Sequence, residues 1–119
     1  MPSLLQNVAF DCAVPVKLAR FWSEVTGQPV DDYDSFYATV TLPNDTVLYF
    51  ARVPEPKTVK NRVHLCLRPD VPRDVEVERL IGIGARLVSD RRKPNGQGWV
   101  VLADPEGNEF CVLRNAAGR

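Results

Sequence analysis

From Leu5 to Cys12 apolar and polar residues alternate. Val8, Phe10 and Cys12 fall on one side and Asn7, Ala9 and Asp11 on the other, the period of two that predicts a strand with one oily and one mixed face. The spacing then changes. Leu18, Phe21, Trp22 and Val25 recur at helical intervals between Pro15, harmless in a first turn because its missing N–H has no helical partner there, and Gly27, which stops the run. Phe36 to Leu42 and Thr46 to Val53 read as two strands joined at Pro43-Asn44-Asp45, residues that favour turns. Two prolines in Pro54-Glu55-Pro56-Lys57 cannot donate to a central ladder, so this stretch is expected to be a connection. The same order follows again: a strand from Arg62 to Leu67, a helix from Val71 to Ile83 ending at Gly84, and a short strand from Ala85 to Ser89. Beyond the exposed loop Arg91-Arg92-Lys93-Pro94-Asn95-Gly96, Trp99 to Ala103 and Asn108 to Leu113 form a hairpin around Asp104-Pro105-Glu106-Gly107. Asn115 to Arg119 is expected to be a flexible tail.

The repetition has a fixed register. An offset of 57 positions lays Asn7 on His64, Phe10 on Leu67, Pro15 on Pro72, Leu18 on Val75, Gly27 on Gly84 and Val30 on Leu87 without a gap. An offset of 62 lays Pro43 on Pro105, Asp45 on Gly107 and Tyr49 on Cys111. The chain therefore reads as one α+β domain over residues 1–119, built from two similar βαβββ modules of about 1–56 and 57–114. Each sheet would cover one face with its own helix, and the other faces would curl into a shared trough suited to a ligand.

Composition narrows the partners. With 119 residues and 45% hydrophobic content the chain has enough material for one core. Fifteen basic and fifteen acidic residues give a formal net charge of zero, which removes the field that draws a protein to nucleic acid or an anionic membrane. A small-molecule partner fits better. The longest apolar stretches are strand-length and the first residues lack a signal-like pattern, so a cytoplasmic location is expected. Cys12, Cys66 and Cys111 each sit in a strand-like run, and their odd number suggests reduced thiols.

The run Val101-Leu102-Ala103-Asp104-Pro105-Glu106-Gly107-Asn108-Glu109-Phe110-Cys111-Val112-Leu113 resembles the terminal hairpin of the vicinal oxygen chelate superfamily, which includes glyoxalase I, bleomycin-resistance proteins and extradiol dioxygenases. Arg20-Phe21-Trp22-Ser23-Glu24-Val25-Thr26-Gly27 is similar to its first helix. Arg52-Val53-Pro54-Glu55-Pro56-Lys57 leading to Asn61-Arg62-Val63-His64-Leu65 resembles its short glyoxalase-like branch. The resemblance implies a curved, incomplete eight-stranded mixed barrel with helices outside, and a homodimer. It also implies a metal held by one residue on the first and one on the last strand of each half, usually His or Gln and then Glu. Those positions here are Asn7, Tyr49, His64 and Cys111. An amide and a phenol are weak ligands and no carboxylate is among the four, so no metal and no other cofactor is expected.

His64, the only histidine, shares a strand phase with Arg62 and Cys66 and is a candidate general base or ligand partner; its alternative role is a half-buried histidine bonded to a neighbouring strand. Asp11 and Glu109 are the carboxylates that would work with it, although Asp11 equally suits a structural pair with Arg62 and Glu109 a solvated place near the turn. Cys111 is a potential nucleophile or a packed thiol. Tyr49 and Trp99 offer aromatic surface, and Asn7, Tyr49, Arg62, His64, Cys66, Trp99 and Cys111 together make the expected ligand pocket. Three readings follow: a metal-free binder of a small, partly apolar molecule; a metal-dependent lyase, isomerase or dioxygenase; and a metal-independent acid–base enzyme using His64.

Overall fold

A computed structural model describes residues 2–119. Its contacts divide the chain into two compact units, the first ending at Lys57 and the second running Thr58–Arg119. In the first unit, β1 (Asn7–Cys12), α1 (Pro15–Thr26), β2 (Val30–Tyr33), β3 (Tyr37–Thr41) and β4 (Val47–Arg52) build a four-stranded sheet in the order β1-β4-β3-β2. The β1–β4 pair is parallel and the other two are antiparallel. In the second unit, β5 (Leu65–Leu67), α2 (Arg73–Gly82), β6 (Arg86–Asp90), β7 (Val100–Ala103) and β8 (Glu109–Val112) repeat the plan in the order β5-β8-β7-β6. The α+β class and the element order are therefore as expected. The strands pair as two four-stranded sheets, and neither closes on itself.

The repeat extends to individual pairs. Ala9 lies opposite Tyr49 on the parallel strands of the first sheet, and Cys66 lies opposite Cys111 in the second, related by the same offsets of 57 and 62. Even the irregularities match. The ladder shifts between Val30 and Asp32 in β2 and between Leu87 and Ser89 in β6, positions again 57 apart. An extra residue at an equivalent place in both edge strands bends each edge alike, which chance similarity of short amphipathic segments would not produce.

Alternation decides which face is covered. Along β1 the side chains of Val8, Phe10 and Cys12 turn inward and those of Asn7, Ala9 and Asp11 are exposed. Helix α1 packs on β3 and β4, burying Leu18, Phe21 and Trp22. The Trp22 ring lies 5.4 Å from that of Phe10 and 5.5 Å from that of Phe21. Gly27 ends α1 in the left-handed region, φ 73°, where its N–H reaches the Ser23 carbonyl. In the second unit α2 packs on β8, and Val77, Leu80, Val100, Leu102, Phe110 and Val112 are buried.

Several boundaries differ from expectation. β1 starts at Asn7, not Leu5, because its partner β4 begins at Val47, and Leu5 is 74% exposed. β5 starts at Leu65, not Arg62. Just before it the Asn61 amide donates to the Val63 carbonyl and its Oδ1 accepts the Glu109 N–H, so side-chain bonds replace the ladder there. α2 starts at Arg73 because Pro72 is extended, ψ 143°, as its N-cap. Residues 115–119, expected to be flexible, close into a turn: the Asn115 N–H bonds the Arg119 carbonyl, which also accepts the Arg73 N–H at the start of α2.

The basic loop is also tied down. Arg92 is half-buried and pairs with Asp90 and Asp74, while buried Arg73 donates to the carbonyls of Gly96 and Gly98. Gly98 has φ 97°, and a Cβ there would stand 2.0 Å from the Arg91 carbonyl oxygen, so only glycine closes the loop.

Candidate functional site

The two candidate faces belong to different units. In the first unit the helix-free face is set by register: Ala9, Tyr49 and Thr39 form one cross-strand row, and Asp11, Ala51 and Tyr37 the next. Tyr37 and Tyr49 stack in parallel, centroids 5.6 Å apart at 5°. The Tyr37 hydroxyl donates to the Asp32 carboxylate, and this hydrogen bond pushes its pKa up to about 12, with desolvation and the Asp32 charge adding to the effect. Asn7 and Asp11 border the pair on β1, both exposed.

In the second unit the corresponding row is Cys66, Cys111 and Val101. His64 precedes β5, and its ring nitrogen comes together with the two thiols: the ligand atoms of His64, Cys66 and Cys111 all lie within 4.8 Å of one another. His64 and Cys66 are exposed and Cys111 is buried. Burial pushes the Cys111 thiol up to about 11, helped by the neighbouring Cys66, so it is protonated near neutrality and no ready nucleophile. Glu109 shares this face, and its Oε1 accepts the Lys60 ammonium at 3.1 Å and the Asn61 N–H at 3.1 Å. Its side chain is 12% exposed, so it is neither solvated nor free of partners.

The remaining candidates scatter. Arg62 is exposed at a bend before β5, outside the strand phase that grouped it with His64. Trp99 precedes β7 and is 43% exposed. Asp11 lies in the first unit and Arg62 in the second. Sequence reasoning missed two contributors, Tyr37 and Asp32. Tyr37 was legible: on the strand already expected it stands in phase with Thr39 and Thr41, away from the buried Ala38 and Val40. A chain of hydrogen bonds fixes the Asp104 turn. Asp104 is fully buried and accepts from the N–H groups of Glu106 and Asn108 and from the Asn108 side chain, at 2.9 to 3.1 Å.

The sequence model of the glyoxalase-like domain matches residues 7–113, from the first residue of β1 to the residue after β8. The chain belongs to the glyoxalase-like domain family. Among curated proteins none matches the sequence significantly. Solved structures share the fold at low identity. A glyoxalase/bleomycin resistance protein/dioxygenase family enzyme from Burkholderia phytofirmans is 18% identical with a TM-score of 0.73, over 92% of this chain and 97% of that one. The fosfomycin resistance protein FosX from Listeria monocytogenes, solved with Mn(II) and a dihydroxypropylphosphonic acid, is 13% identical with a TM-score of 0.75, over 98% and 93%. A bleomycin-binding protein from Streptomyces verticillus, solved with copper(II)-bleomycin, is 17% identical with a TM-score of 0.64, over 97% and 98%.

The metal that the superfamily resemblance implies does not fit this glyoxalase-like chain. Oxygen-preferring ions such as Mn(II) select carboxylates. The four expected positions supply an amide, a phenol, an imidazole and a thiol. Glu109, the carboxylate two residues before Cys111, is occupied by Lys60 and Asn61.

Proposed function

We propose that this glyoxalase-like protein binds a small, partly apolar molecule on the helix-free surface of its sheets, without the carboxylate-held metal of the wider superfamily. The observation that carries the reading is the stacked Tyr37–Tyr49 pair on the face opposite α1, beside exposed Asn7 and Asp11. An aromatic platform with an amide and a carboxylate at its border suits a planar or partly aromatic ligand with a few hydrogen-bonding groups. The bleomycin-binding neighbour gives a precedent for binding on this fold, though not for the ligand.

The test is a thermal-shift screen of small aromatic and heteroaromatic compounds on chelator-treated protein. A ligand at about 100 times its Kd should add about 2.7 kcal/mol to stability. Loss of a stacking partner removes about 0.5–1.5 kcal/mol beyond area burial, so Tyr49→Ala should weaken a true ligand by roughly tenfold. A hit that binds Tyr49→Ala as tightly as the parent protein would place the site elsewhere.

A further inference from the structure

We infer that His64, Cys66 and Cys111 form a site for one zinc ion on the helix-free face of the second sheet. The site goes beyond the proposed small-molecule platform; it takes in two of the four superfamily metal positions, His64 and Cys111, but adds Cys66 and uses thiolate in place of carboxylate donors.

The spacing of the donors supports it. Zinc holds thiolate sulfur at about 2.3 Å and imidazole nitrogen at about 2.0–2.1 Å, so tetrahedral neighbours stand about 3.5–3.8 Å apart. The three donor atoms here lie within 4.8 Å of one another, so closure requires them to approach by at most about 1.3 Å. His64 and Cys66 are exposed and so have room to adjust. Cys66 and Cys111 are register partners on adjacent parallel strands, whose backbones run about 4.8 Å apart, so the sheet itself fixes the thiol pair.

The donor types agree. Two thiolates and an imidazole select zinc or another thiophilic ion over magnesium, calcium or manganese. Three protein ligands leave a fourth position, which the exposure of His64 and Cys66 opens to water or to a donor atom of a bound molecule. The nearby Lys60 ammonium is paired with Glu109, which blunts its repulsion of a cation. The superfamily pattern of one metal residue per strand passes over Cys66, two residues beyond His64.

The experiment is an optical titration of the reduced, chelator-stripped full chain with Co2+, followed by competition with Zn2+. The expected result is one ion per chain, with the thiolate-to-cobalt charge-transfer bands of tetrahedral coordination, displaced by zinc. Cys66→Ser and His64→Gln change exposed residues and should leave the fold intact. Each should weaken binding by more than the roughly 10–100-fold that loss of an outer-shell partner costs. Cys12→Ala, in the first unit, should leave the affinity unchanged. Absence of thiolate bands in the reduced protein overturns the proposal, as does binding that survives both Cys66→Ser and His64→Gln.

Discussion

Replacing Asp104 by alanine takes the acceptor away from three donors at once: the N–H groups of Glu106 and Asn108 and the Asn108 amide, held at 2.9, 3.0 and 3.0–3.1 Å. Asp104 is 0% exposed and Asn108 9%, so water cannot readily substitute. Each buried donor left unpaired costs about 1–3 kcal/mol, and with the two on Asn108 dominating the loss should be about 3 kcal/mol, out of a total of about 5–15 for a domain. At a urea m-value of about 1–3 kcal/mol/M, the midpoint should fall by about 1–3 M. Asp104→Asn keeps one acceptor oxygen and should lose less. Equilibrium urea unfolding followed by tryptophan fluorescence reads both variants. A loss below about 0.5 kcal/mol for Asp104→Ala, or equal losses for the two substitutions, would refute the idea that this aspartate is the clamp of the β7–β8 turn.

Accessibility should separate the thiols: in the metal-free native protein iodoacetamide is expected to modify exposed Cys66 first, while buried Cys12 and Cys111 react only on unfolding, as peptide mass mapping would show. Asp90 has its pKa lowered to about 2, chiefly by the Arg92 side-chain hydrogen bond, so its folded pKa lies below the unfolded value and its contribution is present above about pH 4 and lost between about pH 4 and 2. The stability difference between the parent and Arg92→Ala should therefore shrink across that window in acid-titrated urea melts. Tyr37 is shifted the other way, to about 12, and a tyrosinate absorbance titration of a Tyr33→Phe, Tyr49→Phe background should show it ionising there, and earlier when Asp32→Asn is added. No change on adding Asp32→Asn would contradict the assigned cause.

Most of the fold was legible because its signals are local and repeated. Pro15 and Gly27 bracket α1 as expected, and the two offsets found in the sequence reappear as pairing registers, Ala9 with Tyr49 and Cys66 with Cys111. Strand ends were less legible because they depend on the partner. Nothing near Leu5 says that β4 begins at Val47, and nothing near Arg62 says that the Asn61 side chain will take the Glu109 N–H. The chemistry was legible in part. His64, Cys111 and Tyr49 were singled out by repeat position, and Cys66 by strand phase. The compact His64–Cys66–Cys111 trio and the Tyr37–Tyr49 stack depend on distances between strands, which no spacing along the chain encodes. Arg92 and Arg73 make the same point. A basic loop reads as solvated until the acids and carbonyls that hold it are in view.

The most direct measurement on small-molecule binding is amide chemical-shift mapping of the first thermal-shift hit on isotope-labelled, chelator-treated protein. The expected shifts centre on the strands that present Asn7, Asp11, Tyr37 and Tyr49, and collapse in Tyr49→Ala. Shifts confined to α1 or to the 91–98 loop, with those strands unmoved, would contradict a ligand face opposite the helix.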